Sequence, residues 1–372
     1  MAYVAVRGGQ QAIKEAEKLL HYYRLKDGEQ PITINQIRTQ MRLAVDKAMS
    51  EGSLYDPDLA ALALKQAEGD AIEASFLLRA FRSTLPRQAY TYAIDTSKME
   101  IVRRISATFK EVPGGQYLGP TRDYTKRLLR MELMEETEAE AKVTISEFLE
   151  NLNLNAEEVE SGQVPTFPRV IDLLKEEGLI HVPSQGERNT DGSVDDITRD
   201  ALSFPTSRAV RLQAMTRGET GALLAFAYSS VRGYGDVHPT IGELRVGYVP
   251  VYMPHPIYPE ETIALGRILV TEAEIVVRQQ DENVSGAAQF AVGYGLCFGH
   301  NEDKAISMGI LDQTMVAENP ASPAQDEEFV LYHIDGIESS GFISHFKLPH
   351  YVDFQAELQR VRSINRKEEN EV

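Results

Sequence analysis

GELRVGYVPVYM at 242–253 and TIALGRILVTEAEIVV at 262–277 decide the fold class. Both read as strands, paired around a connection rich in proline, a residue that interrupts a strand ladder. AAQFAVGYGLCFG at 287–299 reads as a further strand, leading into a helix that Asn301 is placed to cap. Strands that follow one another without a regular helical crossover point to mixed or antiparallel sheets. The class is therefore α+β rather than a repeated βαβ unit.

Outward from these strands, helices are expected on both sides. Ile13, Ala16, Leu19, Leu20 and Tyr23 recur at helical spacing, and Asn35 is placed to cap a second helix that Gly52 ends. Pro57 suits the first turn of a third helix closed by Gly69. Asp70 with Glu73 starts a fourth that Pro86 stops. After the strands, Asp326 is placed to cap a helix that Gly341 ends, and 351–366 forms a terminal helix with Phe354, Leu358 and Val361 as its apolar stripe. The expected organisation is a helical block over 1–100 and a basic strand with a glycine turn over 101–131. An acidic linker or excursion follows over 132–165, then an α+β domain with a histidine pair over 166–366 and a charged tail over 367–372.

The formal charge of −18 argues against nucleic acid, because a phosphate backbone would be repelled over most of the surface. One anionic pocket needs only a local cluster of cations and backbone N–H groups. The N-terminus has no apolar core of a secretory signal, and no apolar run approaches the ~20 residues of a membrane helix. The single cysteine, Cys297, fits a reducing cytosol, so a cytoplasmic, membrane-free protein is expected.

Three groups of residues carry candidate chemistry. Arg103, Arg104, Lys110 and Arg122 flank the Gly114-Gly115 turn, so one strand face offers cations and backbone donors to phosphate, or else is a plain basic surface. Asp123 is the candidate polar helper. His345 and His350 flank Pro349, whose bend brings two imidazoles round toward one ion; Cys297, His333 or another chain would complete a zinc site. Arginines between Arg208 and Arg232 either bind a ligand or pair with surface carboxylates. Gly293-Tyr294-Gly295 imitates a dinucleotide loop, but its spacing is wrong, and glycines relieving a close backbone contact are the better reading.

Several words of this sequence resemble one family over nearly the whole chain. They are YVAVRGG at 3–9, LALKQAEGD at 62–70, RRISATFKEVPGGQYLGPTRDYT at 103–125, RGYG at 232–235, GYGLCFG at 293–299, PAQDEEFVL at 323–331 and GFISHFKLPHYVDFQAEL at 341–358. The family is the I subunit of carbon–phosphorus lyase. The resemblance implies a hetero-oligomer with subunits G, H and J, two copies each, and association with ATP-binding-cassette subunits of the same system. It implies that an alkylphosphonate displaces adenine from ATP (or the base from GTP), giving ribose 1-phosphonate 5-triphosphate, with nucleosidase activity for the subunit alone. It also places zinc on His345 and His350, shared with a partner subunit. A mainly structural subunit lending interface and zinc ligands is the rival reading. An unrelated zinc hydrolase, with a complete metal site in this chain, is a third.

Overall fold

The computed structural model describes residues 9–26, 28, 30–156, 167–180, 195–234, 238–258, 260–278, 289–317 and 319–370. Residues 3–8 of the first family word, 157–165 of the acidic stretch, Gly235 and the last two residues of the charged tail lie outside these. Among the described residues, four strands form one antiparallel sheet in the order β1–β2–β3–β4. β1 is Glu100–Ile105, β2 Thr240–Pro254, β3 Thr262–Arg278 and β4 Phe290–Phe298. The paired strands expected from 242–253 and 262–277 are β2 and β3, in register from Thr240 opposite Val276 to Pro254 opposite Thr262. The α+β class is the observed one. β1 is shorter than the alternation over 101–112 suggests, because the chain leaves the sheet after Ile105.

One face of the sheet is apolar and carries the main core. Leu244, Ala273, Ile275 and Cys297 pack there with Val210 and Met215 of α8 (Arg208–Arg217), Leu223 of α9 (Thr220–Tyr228), and Met308 and Leu311 of α10 (Glu302–Thr314). Full burial of each large apolar side chain stabilises by roughly 1.5–3 kcal/mol. α10 lies unusually close to β4. A Cβ on Gly293 would sit 1.9 Å from the Gly309 carbonyl oxygen, and one on Gly295 2.0 Å from that of Ala305. The two glycines are packing residues that let helix backbone touch strand backbone.

A second core holds α2 (Ile34–Gln40), α3 (Arg42–Gly52), α4 (Pro57–Gln66) and α5 (Ala71–Ser83), through Ile37, Val45, Met49, Leu64 and Leu78. Asp56 and Asp70 cap α4 and α5, and α3 ends at Gly52. The start of α2 differs from expectation: Thr33, in a capping box with Gln36, replaces Asn35.

α1 (Gln10–Leu25) buries no residue, so its apolar stripe faces solvent. The acidic stretch contains a 19-residue helix, α6 (Glu138–Ala156), exposed where its side chains are described. α7 (Val170–Glu176) packs on the sheet face opposite the main core, where Val170, Ile171 and Leu174 cluster with Val276 of β3 and Val292 of β4. Asp326 caps α11 (Glu327–His333), as expected, but the helix stops at Ile334. There Asp335 caps a new one, α12 (Gly336–Ser344), that runs through Gly341. α13 (Tyr351–Asn370) follows, with Phe354 and Val361 exposed.

Candidate functional site

A cleft of about 430 Å³ opens where α3, the start of α10 and the loop at 120–127 meet. Arg42 and Lys47 come from the N-terminal half of α3, and Arg122, Asp123 and Arg127 from the loop. His300, Asn301, Glu302, Asp303 and Lys304 come from the β4–α10 corner, and Thr220 from the start of α9. Gly299 makes that corner: its φ is +70°, and a Cβ there would collide with Asp46, whose Oδ2 accepts from the His300 N–H at 3.0 Å.

Two features suit the cleft to an anion. Asn301, expected to cap α10, instead donates to the Phe298 and Asp46 carbonyls at 2.6 and 3.1 Å, leaving no side-chain cap. The N–H groups of the first turn, at the positive end of the helix dipole, therefore stay open. Cations also outnumber carboxylates. Arg122 has no side-chain partner among the described residues. Among the described residues, Arg42 hydrogen-bonds His300 Nδ1 at 3.1 Å and the Pro120 carbonyl at 3.2 Å. Lys304 is fully buried at the back, donating to Ser50 Oγ at 3.0 Å, and burial lowers its pKa. Lys47 reaches Glu219 at 3.3 Å.

The strand pleat divides the two arginines expected to act together. Arg103 points toward the cleft but is fully buried, donating to the Leu118 carbonyl at 2.6 Å and to Asp123. Its Nε lies 2.6 Å from Glu302 Oε1, an ion pair too bent for a hydrogen bond. Arg104 points to the opposite face. There it meets Glu243 and donates to the carbonyls of Pro113 and Gly115 at 2.9 Å and of Pro168 at 3.0 Å. The glycine turn thus wraps its carbonyls round Arg104. Lys110 is exposed and outside the cleft. Of the expected phosphate group, Arg122 lines the cleft beside Asp123, and Arg103 holds its wall.

Arg104 belongs to a charged ladder that covers this second sheet face. Cross-strand register places Arg104, Arg245 and Glu272 in one row and Glu243, Glu274 and Tyr294 in the next. Glu272 pairs with Arg245 and accepts from Thr96 Oγ1 at 2.7 Å and from the Tyr294 hydroxyl at 2.8 Å. Burial pushes Glu272 up, but Arg245 and Arg169 more than compensate and hold it below the usual range. For Glu274 burial wins: its pKa rises to about 7 despite contact with Arg169, and its Oε2 has no hydrogen-bond partner among the described residues.

The histidine pair lies between α12 and α13, the ring centroids 5.3 Å apart. His345 Nδ1 bonds the Phe342 carbonyl, and His350 Nδ1 that of Leu348 at 2.6 Å. A carbonyl only accepts, so both Nδ1 atoms carry hydrogen and each Nε2 is left to offer a lone pair. His345 Nε2 is buried and has no hydrogen-bond partner among the described residues. This is the orientation that metal-ligating imidazoles take. The third ligand is another matter. Burial pushes the Cys297 thiol, deep in the main core, up to about 12, and His333 stacks on Phe329 with its Nδ1 on that residue's carbonyl. Among the described residues no group of three His, Cys, Asp or Glu side chains is arranged for a metal.

Three of the later arginines are internally paired, Arg208 with Asp312, Arg211 with Glu327 at 3.1 Å and Arg217 with Asp335 at 3.4 Å, whereas Arg232 is exposed. Sequence reading missed Arg42, Lys47, His300, Glu302 and Lys304. Their one legible signal was the polar run after GYGLCFG, at the start of a helix. Among the described residues, no helix is long and apolar enough to cross a membrane.

Residues 2–368 match the family described as bacterial phosphonate metabolism protein (PhnI). The HtxH protein of Stutzerimonas stutzeri is 47% identical over 372 residues, which cover 99% of this chain and 97% of that protein. The alpha-D-ribose 1-methylphosphonate 5-triphosphate synthase subunit PhnI of Rhizobium meliloti (strain 1021) is 46% identical over 369 residues, 98% of this chain and 95% of that one. The subunit of the same name from Escherichia coli (strain K12) is 45% identical over 374 residues, 98% and 99% of the two chains.

Proposed function

This chain belongs to the PhnI family of bacterial phosphonate metabolism proteins, and on that premise we propose that it serves as a subunit of an alpha-D-ribose 1-methylphosphonate 5-triphosphate synthase, a transferase of the carbon–phosphorus lyase system. An oxygen of the alkylphosphonate bonds to C1′ of ATP as the C1′–N9 bond breaks. Adenine leaves with the bonding pair and takes up a proton. With water as the nucleophile, the same chemistry is a nucleosidase reaction.

The observation that carries this reading is the cleft. Arg42, Lys47, Arg122, Arg127 and Lys304, with the uncapped start of α10, form an electropositive recess in a strongly acidic chain. A polyphosphate needs several such cations and backbone donors at once. Subunits G, H and J close the site, so that phosphonate rather than water meets C1′. The exposed apolar faces of α1 and α13 support a chain that works among partners. His345 and His350 would hold a zinc ion through their Nε2 atoms, and a partner subunit would complete the ligand set. When bound, that ion supplies fixed positive charge at the subunit contact.

The test uses the assembled complex with ATP and methylphosphonate, following adenine by chromatography and the new phosphonate ester by phosphorus NMR. Replacing Lys47 and Arg127 together by Ala should raise KM for ATP by about tenfold or more. An unchanged KM removes the cleft from the reaction. If the chain by itself, with and without divalent metal, releases no adenine, the mainly structural role gains ground.

A further inference from the structure

Glu302 stands apart from Asp123 and Asp303, the other acidic groups of the cleft, because both of those are exposed. Its Oε1 is held from two sides, by His300 Nε2 at 2.6 Å and by the Arg103 guanidinium at 2.6 Å. Its Oε2 has no partner among the described residues, although the side chain is only 17% exposed. Asp123, by contrast, has both oxygens engaged, Oδ2 by Arg103 and Oδ1 by Arg127 at 3.3 Å. Against the upward push of burial, the bond from His300 and the charge of Arg103 keep Glu302 ionised.

An immobilised carboxylate oxygen inside a cationic cleft repels phosphate, so it must face a neutral part of the ligand that donates hydrogen bonds. In a nucleoside triphosphate the donors nearest the reacting carbon are the ribose hydroxyls, and the 2′-hydroxyl sits next to C1′. Cleavage at C1′ builds positive charge on the sugar, and an acceptor bonded to the 2′-hydroxyl strengthens its hold as that charge grows. We infer that Glu302 Oε2 accepts from the 2′-hydroxyl and is a catalytic residue that makes the site selective for ribonucleotides over 2′-deoxyribonucleotides. This rests on the synthase reading above. His300 and Arg103 are its positioning residues.

The experiment compares ATP with 2′-deoxy-ATP in the assembled complex, with methylphosphonate present, for the wild type and Glu302→Gln. Without a catalyst the deoxynucleoside loses its base more readily, so a preference for ATP runs against intrinsic reactivity. The wild type should favour ATP in kcat/KM by about a hundredfold or more, because a site built to bond a hydroxyl rejects the analogue lacking it. Glu302→Gln should lower kcat/KM for ATP by about the same factor and that for 2′-deoxy-ATP by no more than about threefold. Binding of inorganic tripolyphosphate should persist in the variant, showing that the cleft survives. A wild type that uses both nucleotides equally overturns the inference, even if the variant fails to assemble. Equal losses for both nucleotides also overturn it and leave the synthase reading intact. No adenine from either nucleotide removes both.

Discussion

Two charged regions of the molecule, the ladder on the sheet face opposite the main core and the cleft at the β4–α10 corner, hold the same ingredients in opposite states. In the ladder, Arg104, Arg169 and Arg245 meet the buried carboxylates of Glu243, Glu272 and Glu274. In the cleft, Arg42, Lys47, Arg122, Arg127 and Lys304 line a recess in which several donors remain uncommitted. Arg103 and Arg104, adjacent in sequence, supply one guanidinium to each. A buried cation with matched carboxylates is part of the architecture, whereas a half-exposed one beside an open helix start is available to a ligand. The comparison also shows why a count of arginines does not locate a binding site.

The largest effect that tests this contrast is on stability. Arg104→Ala strands Glu243 in the interior and should cost about 3–5 kcal/mol in chemical denaturation of the full chain. Arg104→Met with Glu243→Leu should recover most of that loss. If the single variant is as stable as the parent, the ladder is open to water and the distinction between ladder and cleft fails.

A smaller effect concerns pH. An unfolded glutamate ionises near 4.5, whereas Glu274 in the fold keeps its proton up to about 7. The unfolded chain therefore binds fewer protons between these values, so Glu274 lowers stability as pH rises through that window and adds no further change above it. Glu274→Gln should remove that slope, worth on the order of 2–3 kcal/mol by pH 8. Denaturation midpoints at pH 5 and pH 8 measure it. Parallel pH profiles for parent and variant would show that Glu274 is ionised throughout.

On the cleft side the effects should move to binding. Arg122→Ala should weaken tripolyphosphate by about tenfold, reduce the salt sensitivity of binding, and leave the melting temperature almost unchanged. A change in melting with no change in affinity would reverse the contrast. The smallest expected effect on stability belongs to the histidine pair. His345→Ala should shift it by less than about 0.5 kcal/mol while the assembled complex loses zinc, read by elemental analysis. Full zinc content in that variant would place the ion elsewhere.

Local chemistry was legible wherever neighbours in sequence make the contact. Asp70 and Asp326 cap helices that begin beside them, Pro57 opens α4, and the Pro-rich connection separates two strands that pair. Gly293 and Gly295 were rightly read as packing residues. Asn301 was misread because its amide is drawn to Asp46 and Phe298 carbonyls, and the Asp46 contact exists only in the folded chain. The apolar stripes of α1 and α13 are real helical periodicities, but a stripe does not say whether its cover lies in the same chain.

By itself the sequence determined the α+β class, the strand pair, most helix starts, the family words and the histidine pair beside Pro349. Only the tertiary structure decided which cations are free. That depends on contacts between residues 42–47, 103, 120–127 and 300–304, which no local pattern brings together. It also depends on the pleat, which turns one arginine of a consecutive pair toward a ligand cleft and the other into a closed network.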